Sequence, residues 1–181
     1  MEASDFELVR KIKAGDQIAF DIFIRRWYPR IFRYVLKMIA HEQDAYDVTQ
    51  EVFLAVLRSI ASYRPWKKID SWLFTIAHHK CIDYFRIRAD SVSLDALDLD
   101  LPSLSAPLDE IAANTVTIEV ALLKLPLAQR EAVVLHYYHQ FSVREIARMT
   151  KAPIPTVKSR LSAARKTLSL QLREEVSWMN E

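Results

Sequence analysis

The amino-acid sequence predicts an all-α protein of two small helical domains joined by a flexible acidic linker. Three observations lead to this fold class. Glycine occurs once, at Gly15, among 181 residues, and so few glycines disfavour the tight hairpins of β-sheets. Apolar residues recur at steps of three and four, the spacing of an amphipathic helix. Charge changes along the chain, with a mixed domain at 1–89, an acidic linker at 90–116 and a basic domain at 117–181.

The first domain is predicted to begin with two helices. Ser4 and Glu7 form a capping box, in which each side chain satisfies a backbone N–H at a helix start. This helix carries Phe6, Val9 and Ile12. Gly15 can end it, and Pro29 permits a kink or a restart in the next helix. The apolar stripe of that second helix contains Phe20, Phe23, Trp27, Ile31, Tyr34, Val35 and Met38.

A third and a fourth helix complete the first domain. The third is predicted from Asp44 to about Ile60, and it would bury Val48, Val52, Ala55 and Val56. A loop from Tyr63 to Ile69, marked by Pro65, precedes the fourth helix. Asp70 is predicted as the N-cap of this helix. Its inward residues would be Leu73, Ile76, Ala77 and Phe85.

The third helix carries an acidic patch. Steps of three and four residues place Asp44, Asp47 and Glu51 on one face, with Gln50 beside it. Such a face either binds a partner or is an ordinary solvated surface, and the pattern alone favours the solvated surface. A metal site is not expected, because no histidine lies at a suitable spacing.

The segment from Tyr63 to Arg88 interleaves aromatic and basic residues. Aromatic rings stack on exposed bases and cations follow phosphates, so this composition is typical of single-stranded nucleic-acid binding. The alternative is that many of the rings belong to the core, for which Trp72 and Phe85 are good candidates. The residues concerned are Tyr63, Arg64, Trp66, Lys67, Lys68, Trp72, Phe74, His78, His79, Lys80, Tyr84, Arg86 and Arg88.

Charge and proline separate the linker from the second domain. Residues 90–116 hold six acidic residues, no lysine or arginine, and two prolines, which indicates a linker. Between Glu119 and Arg173 there are ten basic residues against three acidic ones. A compact basic module of this kind is typical of proteins that bind nucleic-acid phosphates.

The second domain contains a helix-turn-helix pattern. Ser142 and Glu145 form a second capping box, and Pro153 and Pro155 must end that short helix. Thr156 is predicted as the N-cap of the next helix. That helix would bury Val157, Leu161, Ala164 and Leu168 and expose Lys158, Ser159, Ser162, Ala163 and Lys166. A helix with this exposed face can enter a DNA major groove, whereas the alternative is a basic solvated helix.

Several classes of protein are excluded. One glycine cannot build a phosphate-binding or dinucleotide-binding loop. No apolar run approaches membrane-spanning length and the start of the chain is no secretory signal. Cys81 with His78 or His79 lacks a third orienting group for catalysis, and a buried thiol is the favoured alternative to a redox role. His136 and His139 lack the carboxylate or cysteine companions of a metal site.

Short segments in order resemble the conserved regions of bacterial sigma factors. Three resemble their second region, namely DAYDVTQEVF at 44–53, SWLFTIA at 71–77 and DYFR at 83–86. Three more resemble their fourth region, namely LPLAQRE at 125–131, EIA at 145–147 and TVKSRL at 156–161. The size and the lack of other regions resemble the extracytoplasmic-function (ECF) sigma factors.

This resemblance implies a role for each surface. The third helix would dock on the clamp helices of the polymerase β′ subunit through Asp44, Asp47, Gln50, Glu51 and Phe53. The aromatic and basic segment would hold the melting −10 element through Tyr63, Arg64, Trp66, Lys67, Lys68, Ser71, Thr75, His78, His79 and Lys80. The helix-turn-helix would read the −35 duplex through Ser142, Thr156, Lys158, Ser159, Arg160, Ser162, Ala163, Arg165 and Lys166.

The resemblance also implies partners and a location. Core RNA polymerase would be contacted at its β′ clamp and β flap, and promoter DNA would be the second partner. The linker would thread toward the polymerase active site and RNA exit path. Family members are commonly held inactive by anti-sigma factors, which are often membrane-anchored. No cofactor, metal or small-molecule substrate is expected, and the protein is expected in the cytosol.

Five residues depart from the family pattern. His79 stands where asparagine is common, and Gln140 and Lys151 stand where glycines are common. Pro155 replaces a frequent glycine, and Ala163 replaces a residue that is often larger or basic. These departures leave the target promoter sequence open. The alternative function is a two-domain DNA-binding regulator that never binds polymerase, and the acidic patch on the third helix distinguishes the two.

Overall fold

The computed structural model describes residues 3–64, 68–92 and 118–178, with side chains described through 89 in the second range and through 172 in the third. All regular structure in these ranges is helical. The chain divides into two compact units, a first unit at 1–97 and a second unit at 98–181. No helix within the described ranges is long and apolar enough to span a membrane.

The first unit contains four helices and a short 3-10 turn: α1 (Asp5–Lys13), α2 (Gln17–Ile39), α3 (Glu42–Ser59), the turn Ile60–Ser62, and α4 (Ile69–Val92). Helix α2 packs against α1, α3 and α4. Its long apolar stripe supplies the centre of the core, where Phe23, Ile31 and Tyr34 are fully buried. Six of the seven residues of the stripe predicted for α2 are buried, and Phe20 is half-buried. On α1, Phe6 is 59% exposed and Leu8 is buried in its place.

Helix α2 continues through Pro29 without a break or a restart. Pro29 is exposed, so the carbonyl that loses its helical hydrogen bond there lies on the solvent side of the helix. The side chain of Asp16 caps the start of α2 by accepting from the backbone N–H of Ala19 at 3.0 Å. The start of this long helix is therefore capped, and its buried face packs against α1, α3 and α4.

The second unit is built from shorter helices: α5 (118–123), α6 (Leu127–Val133), a π-helical turn (Val134–Tyr138), α7 (Val143–Met149) and α8 (Ile154–Trp178). Helix α8 packs on α6 and α7. Val157, Leu161 and Ala164 are buried as predicted, and Leu135 and Ile146 are buried in the same unit. Leu168 is half-buried.

Both predicted capping boxes are confirmed, at Ser4 with Glu7 and at Ser142 with Glu145. Gly15 follows the end of α1 with a φ of 89°, a value that favours glycine. Two predicted N-caps are wrong. Helix α4 begins at Ile69, so Asp70 lies in its first turn and accepts from the N–H of Ser71 at 2.6 Å.

The prediction that Thr156 is the N-cap of the second helix of the helix-turn-helix is wrong by three residues. Helix α8 begins at Ile154, and the N–H of Val157 donates to the carbonyl of Pro153 at 3.1 Å. Pro155 therefore sits in the first helical turn, where a missing N–H costs nothing. Pro153 and Pro155 therefore flank the first residue of α8, which begins earlier in the chain than the sequence predicts.

Helix α4 also runs to Val92, three residues into the predicted linker at 90–116. The remainder of that linker, 93–116, lies outside the described residues. Its role stays a prediction from its charge and composition.

Candidate nucleic-acid and protein interfaces

Helix α3 presents a mixed polar and apolar surface, which we call the α3 face and define as Asp47, Gln50, Leu54 and Leu57. Asp47 and Gln50 are exposed and make no hydrogen bond or ion pair within the described part of the chain. Leu54 and Leu57 are 45% and 48% exposed. Exposed leucines beside polar groups with unused hydrogen-bonding capacity form a surface that a protein partner can bind.

Asp44 and Glu51, which were predicted to act with Asp47 and Gln50, instead contact α4. The hydroxyl of Tyr84 donates to Asp44 Oδ2 at 2.6 Å, and Arg88 Nη1 donates to the same oxygen at 3.2 Å. Lys80 Nζ donates to Glu51 Oε2 at 3.0 Å and lowers the pKa of Glu51 through that hydrogen bond and its charge. The structure therefore divides the predicted acidic patch into two exposed groups and two groups paired across helices.

Phe53, predicted as a polymerase contact, is buried. Its exposed fraction is 6%, and its ring stacks on that of Tyr28 at a centroid distance of 5.9 Å. The ring of Tyr28 also stacks on that of Phe32. The ring centroids of Phe32 and Tyr46 lie 4.6 Å apart. Phe53 thus packs between α3 and α2 and does not form part of the α3 face. The signal for this was its position between Val52 and Val56.

An outward stripe on α4 carries residues predicted to bind the −10 element. Thr75 donates its hydroxyl to the carbonyl of Ser71 at 2.7 Å. His79 is exposed, and its Nδ1 lies 2.6 Å from the carbonyl of Thr75. Because a carbonyl only accepts, Nδ1 carries the proton and a neutral His79 offers the lone pair of Nε2 to solvent. An asparagine would offer both a donor and an acceptor, so His79 changes what this stripe can recognise.

Other members of the −10 set have different surroundings. Arg64 and Lys68 are exposed, and Ser71 and His78 are half-buried. Lys80 is half-buried through its contact with Glu51. Trp66 and Lys67 lie outside the described residues. Among the described residues, the exposed members of this set are Arg64, Lys68 and His79.

Two rings of the aromatic and basic segment belong to the core. Tyr63 is 7% exposed and packs on Trp72 at a centroid distance of 4.9 Å. Phe74 is fully buried and meets Tyr34 edge to face at 5.3 Å. Tyr63 was predicted to contact DNA, and its burial removes its ring from stacking on a base in this conformation. Trp72 and Phe85, predicted as core, are half-buried.

Lys13 has a role that the sequence did not indicate. Its Nζ donates to the backbone carbonyl of Tyr63 at 2.6 Å, and so ties the end of α1 to the start of the loop before α4. The only sequence signal was a basic residue in the last turn of α1, which the helix dipole also favours. Cys81 is 1% exposed, which places its thiol in the core of the first unit.

Helix α8 exposes most of the residues predicted to bind the −35 element. Its outward face carries Lys158, Ser159, Ser162, Ala163, Arg165 and Lys166. Thr156 and Arg160 are half-buried at its edges. Ser142 is exposed, but its hydroxyl is engaged in the capping box with Glu145 at 2.7 Å. Small side chains between cations allow the helix backbone to approach a groove closely.

The second unit also has an open apolar groove of about 470 Å³. Its walls come from α5, α6, the π-helical turn and α8, and they include Ile118, Leu122, Val133, Tyr137, Tyr138, Leu168 and Leu172, with Arg165 among the lining residues. Tyr137 and Tyr138 are 51% and 43% exposed. The sequence did not predict this groove, because it is assembled from segments that are far apart in the chain.

Comparison with known proteins identifies the family. Residues 23–90 match Sigma-70 region 2, and residues 115–168 match Sigma-70, region 4. The ECF RNA polymerase sigma factor SigW of Bacillus subtilis is 29% identical over 186 residues, which cover 96% of this chain and 100% of that relative. The ECF RNA polymerase sigma factor SigM of Mycobacterium tuberculosis is 33% identical over 168 residues, which cover 93% of this chain and 84% of that relative.

Solved structures share the fold. The structure of CnrH in complex with the cytosolic domain of CnrY has a TM-score of 0.68 at 25% identity, and the match covers 92% of this chain and 96% of CnrH. The sigma factor RpoE in complex with the anti-sigma factor NepR from Bartonella quintana has a TM-score of 0.70 at 24% identity, covering 85% of this chain and 96% of RpoE. The chain belongs to the extracytoplasmic-function sigma factors of the sigma-70 family.

Proposed function

We propose that this chain binds core RNA polymerase, directs it to specific promoters and helps to melt the −10 element, acting through binding alone and without catalysis of its own. The observation that carries this proposal is the arrangement of the first unit, where α3 and α4 pack together. The α3 face offers a protein-binding surface, and the outward stripe of α4 offers polar and basic groups. The site of action is the cytosol, where polymerase and DNA are found.

Each surface then has a partner of fitting chemistry. The α3 face docks on the β′ clamp through Asp47, Gln50 and the exposed leucines. The outward stripe of α4, together with Arg64 and Lys68 before the helix, holds the opened −10 strand, because a histidine and cations can contact bases and phosphates. The outward face of α8 reads the −35 duplex, where a good bidentate base contact is worth about 1–3 kcal/mol. The apolar groove of the second unit takes a segment of the β flap.

We also infer control by an anti-sigma factor. CnrH, which has the same fold, was solved with the cytosolic domain of CnrY bound. The exposed leucines of α3 and the exposed tyrosines of the groove in the second unit are surfaces that a protein inhibitor can cover. Polymerase and inhibitor would then compete for the same apolar groups.

In vitro transcription tests the proposal. The full chain is added to core polymerase on a genomic fragment library, and start sites are mapped. We expect new start sites that share motifs near −10 and −35. No start sites above those of core polymerase alone would reject the proposal.

A binding experiment separates the sigma factor from a DNA-binding regulator that never touches polymerase. Asp47→Arg and Gln50→Ala should each weaken binding to core polymerase and leave binding to an isolated −35 duplex intact. Asp21→Arg is the matched control, because Asp21 is exposed on α2 and undergoes the same change of charge. Unchanged polymerase affinity in Asp47→Arg and Gln50→Ala would favour the regulator.

A further inference from the structure

An ion pair between Glu51 and Lys80 joins α3 and α4 in the first unit. Lys80 Nζ lies 3.0 Å from Glu51 Oε2, and the two residues belong to α4 and α3. The family resemblance assigned Glu51 to a protein partner and Lys80 to DNA. In this structure each of them is instead the counterion of the other, so an outside partner must compete with the ion pair for either charge.

We propose that the pair of Glu51 and Lys80 is an internal competitor that couples DNA binding to polymerase binding. A DNA phosphate can take Lys80 only when Lys80 leaves Glu51. A cation supplied by polymerase can take Glu51 only when Glu51 leaves Lys80. Each partner thus releases the group that the other one needs, and the two bind cooperatively. This inference rests on the proposed function, because it requires both partners.

Exposure and energetics suit a pair that opens and closes. The Glu51 side chain is 54% exposed and that of Lys80 is 27% exposed, so an incoming charge can reach both groups. An exposed ion pair contributes little to stability, and its opening needs no rearrangement of the core. The long alkyl stem of lysine lets the ammonium group leave α3 while the stem stays packed on the helix.

A second cross-helix contact keeps α3 and α4 together when the pair opens. Asp44 Oδ2 accepts from the Tyr84 hydroxyl at 2.6 Å and from Arg88 Nη1 at 3.2 Å. Arg88 Nη1 also donates to the Tyr84 oxygen at 2.7 Å. This cluster, in which Asp44 and Tyr84 are half-buried and Arg88 is exposed, is separate from Glu51 and Lys80. Opening the pair therefore changes the available charges without separating the helices.

The proposal predicts opposite effects of two substitutions on two partners. Glu51→Gln frees Lys80, and so it should raise the affinity for a fluorescein-labelled oligothymidine of ~12 nucleotides by about two- to fivefold. The same change should lower the affinity for core polymerase. Lys80→Gln frees Glu51, and so it should raise the affinity for core polymerase by about two- to fivefold and lower that for the oligonucleotide. A merely structural pair would give losses only.

Two controls make the experiment specific. Glu42→Gln removes the same charge from α3 at an exposed position that has no ion pair with Lys80, and it should leave oligonucleotide affinity within the error of the wild type. In the Lys80→Gln background, Glu51→Gln should bring no gain in oligonucleotide affinity. An equal gain from Glu42→Gln, or a gain that persists without Lys80, would mean that general charge is responsible and would overturn the proposal.

The outcome also separates this inference from the proposed function. If Glu51→Gln weakens polymerase binding and Lys80→Gln weakens oligonucleotide binding, but neither produces a gain, the two surfaces stand and the coupling is wrong. If neither substitution changes the affinity for either partner, both the coupling and the assignment of these two residues are wrong. Circular dichroism should show that each variant remains folded.

Discussion

Two residues of the second unit adopt a backbone conformation that suits glycine. Gln140 has a φ of 59° and Lys151 has a φ of 51°. Left-handed values cost a residue with a side chain about 1–2 kcal/mol. These are the same two positions where the family resemblance led us to expect glycine. The chain therefore keeps the turns of the family while it carries side chains that strain them.

This strain predicts that glycine at either position stabilises the protein. Gln140→Gly and Lys151→Gly should each raise the free energy of unfolding by roughly 0.5–1 kcal/mol, because the relief of strain outweighs the added freedom of the unfolded chain. Urea denaturation of the full chain, followed by circular dichroism, measures this change. Lys151→Ala is the control, since it removes the same charge but keeps the strained φ. Glycine variants no more stable than Lys151→Ala would contradict the argument.

The roles of single residues were predicted less well than the face on which they lie. Helical spacing predicts Asp44, Asp47 and Glu51 on one face of α3, and of these Asp47 and Glu51 are exposed while Asp44 is half-buried. It could not show that α4 brings Tyr84, Arg88 and Lys80 against them, because such contacts depend on how two helices pack. For the same reason the sequence predicts Tyr63 as a DNA contact, although its ring is buried and packs on Trp72.

Helix boundaries follow from local chemistry, and the starts of α1 and α7 were predicted because their capping residues are unambiguous. Both capping boxes need only residues three apart, so the sequence is sufficient to place them. The start of α8 was misplaced because two signals competed. Thr156 is a good capping residue, but Pro155 fits the first turn of a helix better than the position before one. In the structure Pro155 lies in the first turn of α8, and Thr156 is not the N-cap.

The capping box at α7 yields a prediction at the scale of an element. Ser142→Ala removes the hydroxyl that accepts from the N–H of Glu145, and it should lower the free energy of unfolding by ~1 kcal/mol. Hydrogen exchange should locate the loss in the second unit. Ser4→Ala, the equivalent change at α1, should act on the first unit instead.

Ser142→Asp tests what else this serine does. Aspartate also caps a helix, so it should restore most of the stability lost in Ser142→Ala. If Ser142 also contacts the −35 duplex, the aspartate variant will bind that duplex more weakly, because its carboxylate repels phosphate. A variant that recovers neither stability nor exchange protection would show that the capping box does not hold α7 in place.

At the scale of the whole molecule, the fold class and the order of the surfaces were predictable because they depend on composition and periodicity. The groove of the second unit was not predictable. It needs Ile118, Tyr137 and Leu172 to come together, and no local pattern carries that information. The separation of charge along the chain is a third property of this scale. The net charge of +2 is a sum over the whole chain, in which the linker is acidic and the second domain is basic.

That separation predicts where the salt dependence of DNA binding originates. Each phosphate contact adds about 0.9 to the slope of log affinity against log salt concentration. Lys158→Gln and Lys166→Gln should therefore weaken binding of the full chain to any duplex and reduce the magnitude of that slope by roughly 0.9 each. Lys11→Gln removes one charge from an exposed position on α1, and it should leave the slope unchanged. An equal reduction in all three variants would mean that net charge, and not the outward face of α8, determines how strongly this protein holds duplex DNA.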